Sequence, residues 1–162
     1  MTKFKIVPLS KKLATQIRTC RKDNFGHHIV EQTATGLGPC RVSLKPFKIG
    51  IDKRLLLSHN PFSIDNAYNQ PGPVFIQAEE VEEYSEVHRF PPEIKADKTH
   101  FPISLIGYNP EQQMVYSRLV GDEDIDEMIG KIFDQRPDVE YLHARSAEAC
   151  CYICAIERVG KL

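Results

Sequence analysis

A chain of 162 residues, 41% hydrophobic and 27% charged, has the make-up of an ordinary folded protein, which excludes a disordered chain. Its net charge of −1, from 21 basic and 22 acidic residues, gives no overall attraction to nucleic acid or an anionic membrane. No apolar run approaches the roughly 20 residues of a membrane span. The first residues carry charges within a short apolar stretch and lack a signal peptide's apolar segment, so a cytoplasmic location is expected. Five irregularly spaced cysteines point to reduced thiols rather than a disulfide framework. The length implies one domain over residues 1–162, large enough to bury a core without a disulfide or metal staple.

In chain order, "FKIVPL" reads as a strand. Ser10 then caps a helix through "KKLATQIRTCRK", with Leu13, Ile17 and Cys20 as its apolar stripe. "HHIVEQTA" is a strand and "TGLGPC" a turn. "CRVSL" alternates as a strand does, with Cys40, Val42 and Leu44 on one face. "KRLLLSH" predicts a strand buried on both faces, and a loop to Pro73 leads to the strand "VFIQAE". Residues 79–100 are acidic and without period, and are expected as a surface excursion.

"ISLIGY" and "QMVYSRLV" flank a polar turn and predict a hairpin. In "DEDIDEMIGKIFDQ" the residues Ile125, Met128, Ile129, Ile132 and Phe133 mark one face of a helix, whose first turn is rich in acidic residues. "VEYLHAR" and "CCYICAIERV" are the closing strands. Strands outnumber helices and neighbours join as hairpins, so the expected class is α+β, with a mainly antiparallel sheet and two principal helices.

The closing segment holds three cysteines. Cys151 and Cys154 are separated by Tyr152 and Ile153, strong strand formers, and residues three apart on a strand face opposite sides. With no second C-x-x-C, a structural zinc site is not expected. Too little chain follows to complete a thioredoxin-like unit. Cys150 and Cys154 are expected in the core, where free cysteine commonly lies. Tyr141, His143 and Arg145 share a strand face. Either they line a pocket, where a cationic neighbour would activate a thiol, or His143 is a sheet histidine held by hydrogen bonds.

Several blocks taken together are similar to a bacterial family known only as domain of unknown function 1203. They are "GLGPCRVSL", "LLL" ahead of "NPFSIDNAYNQPGPVF", "LIGYNPEQQMVYSRLVGDEDIDEMIGKIF" and "VEYLHARSAEACCYICAIERV", in order over residues 36–159. The family's recurrent pieces fall on Pro39-Cys40-Arg41, Gly72-Pro73, His143-x-Arg145-x-Ala147 and Cys151-Tyr152. Two departures are Cys150, where members usually carry glycine, and Ser146, where asparagine is frequent. The first implies a strand or bulge that tolerates a side chain. The resemblance implies a shared bacterial fold and no established activity.

The expected function is a pocket for a small molecule or anion, with Arg41 and Arg145 gripping a carboxylate or phosphate. A thiol-dependent activity would use Cys40, His143 and Cys151. No cofactor and no metal are expected, and nucleic acid and membranes are not expected partners. The alternative is a non-catalytic interaction domain that presents residues 79–100.

Overall fold

The computed structural model describes residues 2–160, with eight strands and three helices along them. Five strands form one antiparallel sheet in the order β1 (Phe4–Val7), β8 (Tyr152–Arg158), β7 (Tyr141–Ser146), β5 (Ile103–Tyr108) and β6 (Met114–Leu119). Three more, β2 (Val30–Thr33), β3 (Lys53–His59) and β4 (Gly72–Gln77), form a second antiparallel sheet in that order. The fold class is the α+β arrangement that alternation predicts, with two longer helices, α1 (Lys11–Cys20) and α3 (Ile125–Gln135), and the short α2 (Pro92–Lys95). Among the described residues no helix is long and apolar enough to cross a membrane.

Each sheet has its own apolar core. On the larger one α3 buries Ile125, Met128, Ile129, Ile132 and Phe133 against Leu105, Leu142, Ala144, Cys154 and Ile156. The helix starts where Asp124 accepts bonds from the amides of Asp126 (2.9 Å) and Glu127 (3.2 Å). It stops before Pro137, which forces Arg136 out of the helical region (φ −125°). Ile129→Val should lower stability by about 0.5–1.5 kcal/mol in urea denaturation, because Ile129 is fully buried. A loss of less than about 0.3 kcal/mol would show that the site collapses around the missing methyl.

The second core joins Ala14 and Ile17 of α1 to Leu55, Leu57, Val74 and Ile76. Ser10 caps α1, accepting from the Leu13 amide at 3.0 Å. Cys20 does not belong to the buried stripe: it ends the helix and is exposed.

Three other expectations are corrected. "CRVSL" is a turn, not a strand. The Leu44 amide donates to the Cys40 carbonyl at 2.9 Å, Leu44 adopts φ 54°, and Cys40, Arg41, Val42 and Leu44 are all buried. Its apparent alternation reflects burial on every side rather than two faces. Residues 79–100 are not only a surface excursion, since Phe90 and Ile94 sit in the larger core. Asp126 of α3 accepts the Phe90 amide at 2.7 Å, and Lys95 bridges to Asp124 and Asp126. Finally, Cys150 is exposed, in a turn at φ 64°. That is neither strand nor bulge but left-handed backbone, which glycine adopts without strain.

Candidate anion groove and aromatic sheath

β7 turns Leu142 and Ala144 toward α3 and Tyr141, His143 and Arg145 toward the opposite face. On that face β5 sets Tyr108 across from Tyr141. β8 sets Tyr152 across from Arg145 through a bulge: Ala144 faces Cys154, Arg145 faces Tyr152, and Ile153 is the extra residue. The bulge breaks strict alternation and puts Tyr152 on the His143 side while Cys154 stays in the core. His59, at the end of β3, and Phe62, in the following loop, close over the cluster.

His143 therefore sits in a sheath of rings. Its centroid lies 4.9 Å from those of Tyr108 and Tyr152, 5.0 Å from Phe62 and 5.2 Å from Tyr141. Burial, helped by the charges of Arg145 and His59, pushes its pKa down to about 3, so it is neutral at pH 7. Burial likewise raises Tyr108 and Tyr141. Arg145 pulls Tyr108 part of the way back without closing a hydrogen bond of normal geometry. Four buried polar atoms in this sheath have no partner: the hydroxyls of Tyr108 and Tyr141, His143 Nδ1 and Arg145 Nε. Such groups are costly in a dry interior and suit a bridging water or ligand atom.

Tyr152 divides the sheath from a groove beside the β7–β8 turn. Arg41 Nε donates to the Tyr152 carbonyl at 2.7 Å, and its Nη1 donates to the Pro39 carbonyl. The Arg41 amide donates to Phe75 of β4, so this one residue ties the two sheets together. Arg145 donates to the carbonyls of Cys150 (3.0 Å) and Gln70 (3.2 Å). Arg54 lies over the Phe75 ring, 3.8 Å from its centroid, and bonds Gln32 and Thr35.

Two clefts flank these arginines. One, of about 210 Å³, is lined by Arg41, Arg54, His100 and Ser146 among others. The other, of about 290 Å³, is lined by Arg145, Gln70, Cys150 and Tyr152 among others. Pro73, Ala149 and Cys151 line both, and no acidic residue lines either. Arg41, Arg54 and Arg145 are 4%, 6% and 6% exposed, and none pairs with a carboxylate among the described residues. Burial lowers the Arg41 pKa to about 10, against the opposing pull of the nearby thiols, which still leaves it charged at neutral pH.

Of the five residues that the sequence singles out, Arg41, Arg145 and Cys151 meet around Tyr152. His143 lies behind that ring, among aromatics. Cys40 is buried on the far side of the 38–45 turn, accepts the Gln77 amide at 3.3 Å and lines a separate cleft of about 570 Å³. Arg54, His59, Tyr108 and Phe62 were not singled out. Arg54 carried a usable signal, being a charge inside a strand expected to be buried on both faces. Among the described residues no group of three or more His, Cys, Asp or Glu is placed to hold a metal ion.

The thiols differ in access. Cys20 and Cys150 are exposed, Cys151 is half-buried, and Cys40 and Cys154 are buried, with burial pushing the Cys154 thiol up to about 12. Iodoacetamide should label Cys20 and Cys150 first, Cys151 more slowly, and Cys40 and Cys154 only on unfolding. Peptide mapping of a time course checks this, and rapid native labelling of Cys40 or Cys154 would contradict it.

A family model described as a protein of unknown function matches residues 38–158, most of the chain, including Cys40, Arg41, His143, Arg145 and Cys151. No curated protein and no solved structure matches.

Proposed function

The chain belongs to the DUF1203 family of proteins of unknown function, and we propose that this member binds a small anionic molecule in the groove between the start of β4 and the β7–β8 turn. The observation that carries this reading is the set of three buried arginines without a carboxylate partner. A buried charge is costly unless compensated, and a bound carboxylate or phosphate would compensate it through charge-assisted bonds. Arg41, Arg54 and Arg145 would supply the donors. The half-buried Cys151 is the thiol best placed for chemistry on the ligand, since it lines both clefts. His143, neutral and enclosed, would serve as a hydrogen-bonding group behind Arg145 rather than as a base for Cys151. The reading takes the protein as bacterial and cytoplasmic. Five free cysteines, two of them exposed, support a reducing surrounding.

The test is thermal unfolding in acetate and in inorganic phosphate, each against sodium chloride of equal ionic strength. A ligand that binds only the folded state raises Tm with concentration. At least one probe should do so, and Arg54→Gln should weaken the rise. The absence of any rise beyond chloride with either probe would defeat the reading.

A further inference from the structure

We propose that the ligand carries two anionic groups bound at once, one in each of the clefts that meet at Cys151; this rests on the anion-binding reading and names the class of ligand within it. A single small anion needs only one such cleft. Here two of similar volume lie side by side, about 210 Å³ and about 290 Å³, and they share Pro73, Ala149 and Cys151 as a common wall. Each has its own buried guanidinium and its own spare donor. Arg41 uses Nε and Nη1 on carbonyls, while its Nη2 donates to no described residue. Arg145 uses one N–H of Nη1 and one of Nη2 on carbonyls, and each of those nitrogens carries a second.

Tyr152 sets the spacing between them. Its carbonyl oxygen holds Arg41 at 2.7 Å, and its ring lies 6.0 Å from Arg145 Cζ. The two guanidiniums thus lie on the backbone side and the ring side of one residue. A ligand with one charge would leave the buried arginine of the other cleft uncompensated. A ligand with two would make its second contact from within the complex, at an effective concentration in the millimolar range for a short tether. The proposed class is therefore a short-chain dicarboxylate or bisphosphate. The half-buried Cys151 on the shared wall lies beside the middle of such a molecule.

Isothermal titration of the wild-type protein decides the matter. The carboxylate probes are acetate and the series malonate, succinate, glutarate and adipate. The phosphonate probes are methylphosphonate and the matching alkane bisphosphonates. In one of the two series, the best-fitting dianion should bind at least about tenfold more tightly than its monoanion, which is a gain of about 1.4 kcal/mol. It should bind one per chain, where the monoanion binds two. Arg145→Gln should reduce the preference for the dianion below about threefold. If a monoanion binds, once or twice per chain, and no dianion of any length binds more tightly, the two-group inference falls while the anion site stands. If no probe binds, both fall. Which series shows the preference distinguishes carboxylate from phosphate chemistry.

Discussion

Between pH 6.5 and pH 4 the protein should lose stability steeply, beginning above the range in which carboxylates take up protons. His143 and His59 carry this effect. Burial lowers His143 to about 3, with Arg145 and His59 adding to it, and burial with Arg41 lowers His59 to about 4. In the unfolded chain both titrate near 6.5. Below that pH the unfolded state binds protons that the folded state refuses, so acid favours unfolding. The contribution is fully present above pH 6.5 and is lost as pH falls toward the folded values. Each histidine adds at most about 1.4 kcal/mol per pH unit, so the pair approaches 3 kcal/mol per unit. The groups facing His143 are Arg145, His59 and the three tyrosines, and none of these is an acid that would welcome the proton. Asp23 acts at lower pH. Burial raises it, but the amides of Ser58, His27 and Phe25 outweigh that and hold it below the usual carboxylate range. Urea midpoints measured across pH 4–7 should show the slope, and His143→Phe should remove about half of it. An unchanged slope in that variant would mean that His143 takes up its proton without opening the sheath.

Arg41→Met should have the second large effect, on stability and on ligand binding together. The Arg41 side chain satisfies the carbonyls of Tyr152 and Pro39, both inside the protein. A buried acceptor left without its partner costs about 1–3 kcal/mol. Removing a buried charge returns part of that, so a net loss of about 2–4 kcal/mol is expected. Any rise of Tm with acetate or phosphate should shrink as well, since only the cleft lined by Arg145 keeps its full set of donors. Arg41→Lys should not restore it, because an ammonium lacks the planar fork that reaches two carbonyls and an anion together. Chemical denaturation and the anion titration on the same variants check both halves. A stability within about 0.5 kcal/mol of wild type would show that the 38–45 turn does not need its side-chain tie to β8.

The strands and helices were legible wherever an element has one dry face and one wet face. α3 shows this best: its spacing and acidic first turn agree, and the five residues expected on its inner face are all buried, with Gly130 beside them. The hairpin and the closing strand pair were legible for the same reason. Legibility failed where burial has no period. Cys40, Arg41, Val42 and Leu44 are all buried, so an alternating pattern there said nothing about faces. It failed again at Ile153, because an extra residue in a strand leaves no mark on composition but inverts the parity of everything before it. That inversion carries Tyr152 onto the His143 side. Arg41, Arg145 and Cys151 could be named from their motifs. Their meeting around Tyr152 depends on strand order and on the 38–45 turn, which spacing alone does not encode.

The pairing of β1 with β8, Phe4 opposite Arg158, bears on how the chain reaches its folded state. These partners lie at opposite ends of the described chain, and β2, β3 and β4 of the other sheet all intervene in sequence. Contacts of such separation must meet their loop-closure entropy before they are rewarded, which makes folding slow relative to a helical protein of equal size. Until β1 arrives, β8 is the open edge of the larger sheet, with the amides and carbonyls of Ala155 to Arg158 available to any extended chain nearby. The Phe4 and Ile6 side chains are then also missing from the larger core, so that edge borders a partly uncovered apolar face. The time spent in this state, rather than the stability of the finished fold, sets the protein's exposure to aggregation during synthesis.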